Sequence, residues 1–254
     1  MSWGTWQGAG FPPYKTTTSI NLGASLVHQG KRTLIVDTDP QGNTTSGLGI
    51  NKADVKQCIY DVLIDEVPVK DVLLSTSIEG LDLVPARIEL AGAEIELVQT
   101  LSREHRLKRS LQGIRDTYDY ILIDCPPSLG VLTVNSLTAA NSVLIPIQCE
   151  FYALEGLGQL LNTIRIVQKH LNKRLEIEGV LLTMFDGRTN LSVQVMEEVK
   201  KYFQEKVYRT VIPRNVRLSE APSHGMTILD YDARSRGAEC YIELAKEVIR
   251  NGRE

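Results

Sequence analysis

Four uninterrupted apolar runs constrain this chain more than any other feature: TLIVD at Thr33–Asp37, DYILID at Asp119–Asp124, SVLIPIQ at Ser142–Gln148 and IEGVLLTM at Ile177–Met184. A strand with one wet face alternates apolar and polar residues, because successive side chains point to opposite faces. These runs do not alternate, so both faces of each strand must be covered. That is the mark of a parallel sheet clothed by helices. Leu81–Pro85 and Val207–Pro213 read as shorter strands. Amphipathic stretches fill the intervals. Thr17–Gln29 carries a stripe of Ile20, Leu22, Ala24 and Leu26 and stops at Gly30. Val55–Ile64, two stretches within Ile88–Ile114, Leu154–Leu171, Leu191–Lys206 and Gly237–Arg250 are also helical in pattern. No Pro/Ser-rich linker or repeat divides them. The expected fold is α/β: one doubly wound, mostly parallel sheet with helices on both faces.

Composition narrows the function. The 254 residues include 28 Lys+Arg against 31 Asp+Glu, a net charge of −3. A global basic field for nucleic acid is excluded; a local basic face is not. Disorder is excluded by 43% hydrophobic residues and balanced charge. Cys58, Cys125, Cys149 and Cys240 form no CxxC pair, so the chain reads as cytosolic and reduced, without a zinc or redox motif. Met1–Gly10 has neither the basic start nor the apolar stretch of a signal peptide. No window approaches the roughly 20 apolar residues that span a bilayer. His28, His105, His170 and His224 have no ligand-like spacing, and Trp3 and Trp6 are not read as a stacking platform.

Ligands of such sheets bind beyond the carboxyl ends of the strands. Two runs end there in acids, Asp37-Thr38-Asp39 and Asp124-Cys125-Pro126-Pro127. Paired strand-end aspartates suit a Mg²⁺–phosphate site, one near the metal and another positioning water. They equally suit acids that cap the next turn. Lys15-Thr16-Thr17-Thr18 opens the first helix. Such a stretch can close a phosphate-binding loop, with the helix N–H groups favouring the anion. It can also be a plain threonine N-cap.

The text KTTTSINLGASL, VDTDPQGNTTSGLG, LAGAEIELV, YDYILIDCPPSLG, QCEFYALEG, LLTMFDGRTNLS and VIPRNVRLSEAPSHG resembles the ParA/Soj family of chromosome-partitioning ATPases. This is part of the deviant Walker A group, P-loop NTPase-like proteins that include MinD. The resemblance runs from Lys15 to about Asn251 and is very close to the Soj branch. It implies a ParA-type ATPase domain over 15–254 that takes ATP and Mg²⁺. It implies that Lys15 binds the β/γ phosphates, Thr16 the Mg²⁺ and Thr17 phosphate. Asp39 would position or activate the hydrolytic water, and Asp124 would be the Walker B carboxylate near Mg²⁺. Pro213 and Asn215 lie where relatives contact adenine. Arg188 and Arg217 match arginines that bind double-stranded DNA without sequence preference, though solvated surface charge is the plainer reading of each. Lys200, Lys201, Arg214, Arg234 and Arg236 could enlarge that face. The implied partners are a ParB-type centromere-binding protein, DNA and a second copy joined through ATP. The implied location is cytoplasmic and nucleoid-associated, without membrane.

Residues 1–14 depart from the pattern. Family members begin with an apolar strand and KGGVGKTT. Here Gly10 stands in place of the signature lysine, and Phe11-Pro12-Pro13-Tyr14 in place of Gly-Gly-Val-Gly. Prolines lack the N–H that a phosphate cradle uses and lock φ near about −65°. Gly4, Gly8 and Gly10 interrupt what should be a central strand, so loss of that strand is expected. A reading-frame change at the start of the gene and a degenerate loop both account for the text. The functional alternatives are accordingly a partition ATPase, a non-cycling scaffold that still meets family partners, and a MinD-like membrane ATPase. The last expects a basic amphipathic membrane helix after Arg250, where the sequence has only Asn251-Gly252-Arg253-Glu254.

Overall fold

The computed structural model describes residues 2–5, 14–150 and 153–252, with side chains described for 15–150 and 156–252. Its strands are β1 (Ser2–Thr5), β2 (Thr33–Asp37), β3 (Leu74–Ser75), β4 (Leu81–Val84), β5 (Tyr120–Asp124), β6 (Ser142–Gln148), β7 (Glu176–Phe185) and β8 (Val207–Pro213). They form an eight-stranded sheet in the order β3-β4-β2-β5-β1-β6-β7-β8. Every pairing is parallel except β3 with β4. The helices are α1 (Tyr14–His28), α2 (Asn43–Gly47), α3 (Ile59–Leu63), α4 (Leu90–Glu96), α5 (Arg106–Leu111), α6 (Val131–Ala139), α7 (Ala153–His170), α8 (Asn190–Phe203), α9 (Val216–Glu220), α10 (Ile228–Tyr231) and α11 (Arg236–Asn251).

The period of two along each strand divides the interior. Leu34, Val36, Ile121, Ile123, Val143 and Ile145 join one core, closed by residues of α3 to α8. Their neighbours Ile35, Leu122, Leu144 and Leu181 face the other, closed by α1 and α11. Both faces of β2, β5 and β6 are therefore buried, as their unbroken apolar runs require. The Ser235 hydroxyl accepts the Ala238 N–H at 3.2 Å and starts α11. Ala238, Tyr241, Leu244, Ala245 and Val248 then recur at helical spacing and pack inward. Glu247 is also buried: its carboxylate accepts the backbone N–H of Arg209 at 2.8 Å and that of Thr210 at 3.1 Å.

Three differences from the sequence reading have physical causes. The central strand is present: β1 pairs Ser2–Thr5 with Ile121–Asp124 of β5 and Trp3–Thr5 with Ser142–Leu144 of β6. Ladder bonds are made by backbone groups, so Gly4 lowers strand propensity without forbidding the pairing. The helix expected at Val55–Ile64 is confined to α3, because the Asp61 carboxylate takes the Cys58 N–H at 2.7 Å and fixes the start there. Finally, α6 escapes pattern reading because it has no wet face to contrast with its apolar one: even Thr133, Asn135, Ser136 and Thr138 are buried. The Gly10–Pro13 loop lies outside the described residues. Among the described residues no helix is long and apolar enough to cross a membrane.

Candidate active site

The carboxyl ends of β2 and β5 lie side by side, and the register places Asp37 opposite Asp124. Asp124 is 1% exposed. Three hydroxyls converge on it: Thr16 Oγ1 donates to Oδ2 at 3.0 Å, Thr44 Oγ1 to Oδ2 at 2.6 Å and Ser19 Oγ to Oδ1 at 3.2 Å. Thr16 and Ser19 come from the first turns of α1, and Thr44 from α2, so one carboxylate ties both helices to the sheet. Burial raises the Asp124 pKa, opposed by these hydroxyls and by the Lys15 ammonium.

Lys15 is 5% exposed, and its Nζ donates to the Cys125 carbonyl at 3.3 Å. Burial lowers its pKa; the carboxylates of Asp124 and Asp39 pull the other way. Asp39 therefore faces the same centre as Lys15 and Asp124. Its Oδ1 accepts the Gln41 N–H at 2.9 Å, which holds the carboxylate at the head of the loop leading to α2. Thr17 is half-buried in α1, where its carbonyl accepts Asn21 Nδ2 at 2.8 Å.

Asp37 is fully buried behind this centre. Its Oδ2 accepts both the N–H of Thr45 at 2.9 Å and its Oγ1 hydroxyl at 2.8 Å, and its Oδ1 accepts the Asp39 N–H at 3.2 Å. Thr45 Oγ1 in turn accepts the Ala86 N–H at 3.0 Å. Burial and the neighbouring Asp124 raise Asp37 to about 7, against the lowering effect of the Thr45 donors. Two acids side by side in a dry site call for a cation between or near them.

The remaining residues singled out in the sequence lie on the β7–β8 side. Pro213 ends β8, aligned with Phe185 of β7. Asn215 caps α9, its Oδ1 accepting the N–H of Arg217 at 2.9 Å. Arg188 is 90% exposed and pairs with Asp186 at 2.7 Å, which holds that carboxyl well below the usual range. Arg217 pairs with Glu220 at 3.0 Å and with Asp232 at 3.7 Å, Arg214 with Glu150 at 3.0 Å and Arg236 with Glu239 at 2.8 Å. Lys200, Lys201 and Arg234 are exposed. The arginines thus carry their own counter-carboxylates, and a phosphate must compete with them. Exposed ion pairs are weak because water screens them, so that competition is feasible.

A family model described as an AAA domain, AAA_31, matches residues 12–177. Over 238 residues the chain is 70% identical to the sporulation initiation inhibitor protein Soj of Bacillus subtilis, covering 94% of each chain. The chain belongs to the ParA/Soj family. The chromosome partitioning protein ParA of Caulobacter vibrioides is 54% identical over 242 residues, 94% of this chain and 91% of that one. The solved structure of cobyrinic acid a,c-diamide synthase from Mycobacterium smegmatis, with bound ADP and magnesium, superimposes with a TM-score of 0.87 at 38% identity. It covers 100% of this chain and 95% of that one.

Ser19, Thr44 and Thr45 of this ParA/Soj protein meet the two aspartates although pattern reading singles none of them out, and Asp37 reads there only as a strand-end acid. Ser19 lies three positions after Thr16, the spacing that puts two side chains on one helix face, and that signal is legible. The threonine pair follows Gly42, whose positive φ of 59° turns the chain into α2. Nothing in the local text says which of the two hydroxyls meets which aspartate. The donor set suits a hard divalent cation: carboxylate and hydroxyl oxygens, and no imidazole or thiolate ligand. Among the described residues no cluster of three or more His, Cys, Asp or Glu could hold a metal. Mg²⁺ fits such a place, because it is commonly held by one or two carboxylates together with the phosphates of its ligand.

Proposed function

We propose that this chain is an ATP-dependent partition ATPase of the ParA/Soj type. The observation that carries the reading is the convergence of the Thr16, Ser19 and Thr44 hydroxyls on buried Asp124, beside a buried Lys15 at the head of a 15-residue helix. A buried ammonium in a ring of hydroxyls and acids suits a phosphate with its metal. Solved relatives with bound ADP or an ATP analogue and magnesium support the same ligands. Lys15 would hold the β/γ phosphates and Thr17 a phosphate oxygen; Thr16 and Asp124 would hold Mg²⁺. Bound Mg²⁺–ATP supplies the transferable phosphoryl group and the neutralising charge. Asp39, with Oδ1 engaged by Gln41, has its second oxygen to orient the attacking water. Pro213 and Asn215 would border the adenine.

On the same proposal, ATP joins two copies, and Arg188 and Arg217 then hold double-stranded DNA through its phosphates. A ParB-type centromere-binding protein stimulates hydrolysis, and the protein is cytoplasmic and nucleoid-associated. Titration of Mg²⁺–ATP into the full-length chain should give saturable heat that is lost in Lys15→Ala. Identical, absent heat from both chains refutes the reading. One observation favours a second reading, a non-cycling scaffold: Pro12 and Pro13 bring no N–H to the segment where a phosphate cradle is expected. Phosphate release stimulated by a ParB-type partner excludes that scaffold.

A further inference from the structure

We propose that the groove between residues 66–70 and α5 binds a small phosphomonoester: a dianion carried on an apolar body. The site is distinct from the Asp124 centre. It is a cavity of about 510 Å³ lined by Glu66, Lys70, Arg106 and Arg109, with Val67 and Ile114 among its apolar walls. That volume lies within the range of roughly 300–1,000 Å³ that holds small ligands.

Three features of the groove point to an anion. First, its charges do not balance. Lys70, Arg106 and Arg109 face one acid, Glu66, leaving two positive charges, which match a phosphate dianion and exceed what a single carboxylate neutralises. Lys70 and Arg109 are exposed and have no carboxylate partner among the described residues. Second, Arg106 is held back from water yet incompletely satisfied. Its side chain is 17% exposed, its Nη1 pairs with Glu66 Oε1, and its Nε is buried without a hydrogen-bond partner. A guanidinium fork is built for two-point capture of phosphate oxygens, and here one carboxylate oxygen occupies it. Third, that carboxylate belongs to a strained residue. Glu66 has φ +56°, a left-handed conformation that a β-carbon resists, and its side chain is 73% exposed. Glu66 thus acts as an internal stand-in for the anion. An incoming phosphate displaces this pair from its open, Glu66 side and returns the carboxylate to solvent.

The recess argues for a small molecule over nucleic acid. A duplex presents its phosphates on a convex ridge, whereas these cations surround a concavity with apolar walls.

The test uses phenyl phosphate, which combines the dianion with an apolar ring, titrated into the isotope-labelled full chain. Saturable amide shifts are expected at Val67, Lys70, Ser110 and Gly113. Arg109→Gln and Lys70→Gln, both at exposed positions, should each weaken binding about tenfold. Glu66→Gln removes the competitor and should tighten it roughly threefold. Benzoate, a monoanion of similar shape, should bind more weakly, and Lys15→Ala should leave the groove's affinity unchanged. The proposal is overturned if no saturable shift occurs at the groove. It is overturned if the shifts vanish in Lys15→Ala, which places binding at the Asp124 centre. It is also overturned if Arg109→Gln and Lys70→Gln weaken duplex DNA binding while phenyl phosphate leaves the groove unmoved.

Discussion

Thr44→Val tests the electrostatics of the Asp124 centre with an almost isosteric change. The variant deletes the shortest of the three hydroxyl bonds to Asp124, the one at 2.6 Å, and leaves a methyl in its place. Both partners are buried, so water cannot substitute. A hydrogen bond to a charged group is worth about 1.5–3 kcal/mol, against roughly 1 kcal/mol for a neutral one. The sign follows from linkage. A donor to a carboxylate favours its ionised form, so removing one raises further a pKa that burial has already raised. The loss is therefore largest above that raised value, where Asp124 is ionised. It shrinks as pH falls through it and the acid becomes neutral. Urea denaturation of the nucleotide-free protein across a pH series should show the larger loss at the alkaline end and a smaller one towards the acid end. A loss that does not vary along the series, or no loss at all, refutes the assignment of Thr44 as a donor to an ionised Asp124. Weaker Mg²⁺–ATP binding in the same variant would accompany the first result, because Thr44 also anchors α2 beside the site.

Asp37, raised to about 7 from an ordinary 3.8, binds more proton in the native than in the unfolded state across that window. The nucleotide-free protein should therefore lose stability as pH climbs from about 4 through about 7 and level off above it, and Asp37→Asn should flatten that slope in a denaturation series. Arg188→Ala with Arg217→Ala should weaken retention on duplex DNA and lower the slope of log affinity against log salt by about 1 per arginine; an unchanged slope removes them from the interface. Gly225→Ala should cost about 2–4 kcal/mol by calorimetry, because φ is +65° there and the added carbon would lie 2.6 Å from the Gly49 backbone, an approach no side chain can relieve.

What could be read in advance depended on whether a residue's role is declared by its neighbours in sequence. β2 and β6 were legible to the residue because covering both faces removes alternation, a purely local signal. Lys15, Thr16, Asp39 and Asp124 were legible because a helix start and two strand ends fall on the same rim of such a sheet. Asp37 was visible as a strand-end acid, but its grip on Thr45 and, through it, on Ala86 joins segments 41 residues apart, and no spacing encodes that. Glu247 reads as an ordinary exposed acid of an amphipathic helix. Its burial arises only once α11 lies along β8. β1 was missed for the opposite reason: its place is secured by backbone pairing with two apolar strands, whatever its own residues prefer.

The Glu247 carboxylate has a consequence beyond local stability. β8 is the outermost strand on its side, and two of its amide groups are already taken by that side chain. The opposite margin, β3, is only two residues long and runs against its neighbour. An open margin is a template on which a foreign strand can be laid, the usual first step towards amyloid-like ladders and exchanged segments. Glu247 thus blunts part of one margin of this sheet, and the brevity of β3 leaves little such template at the other.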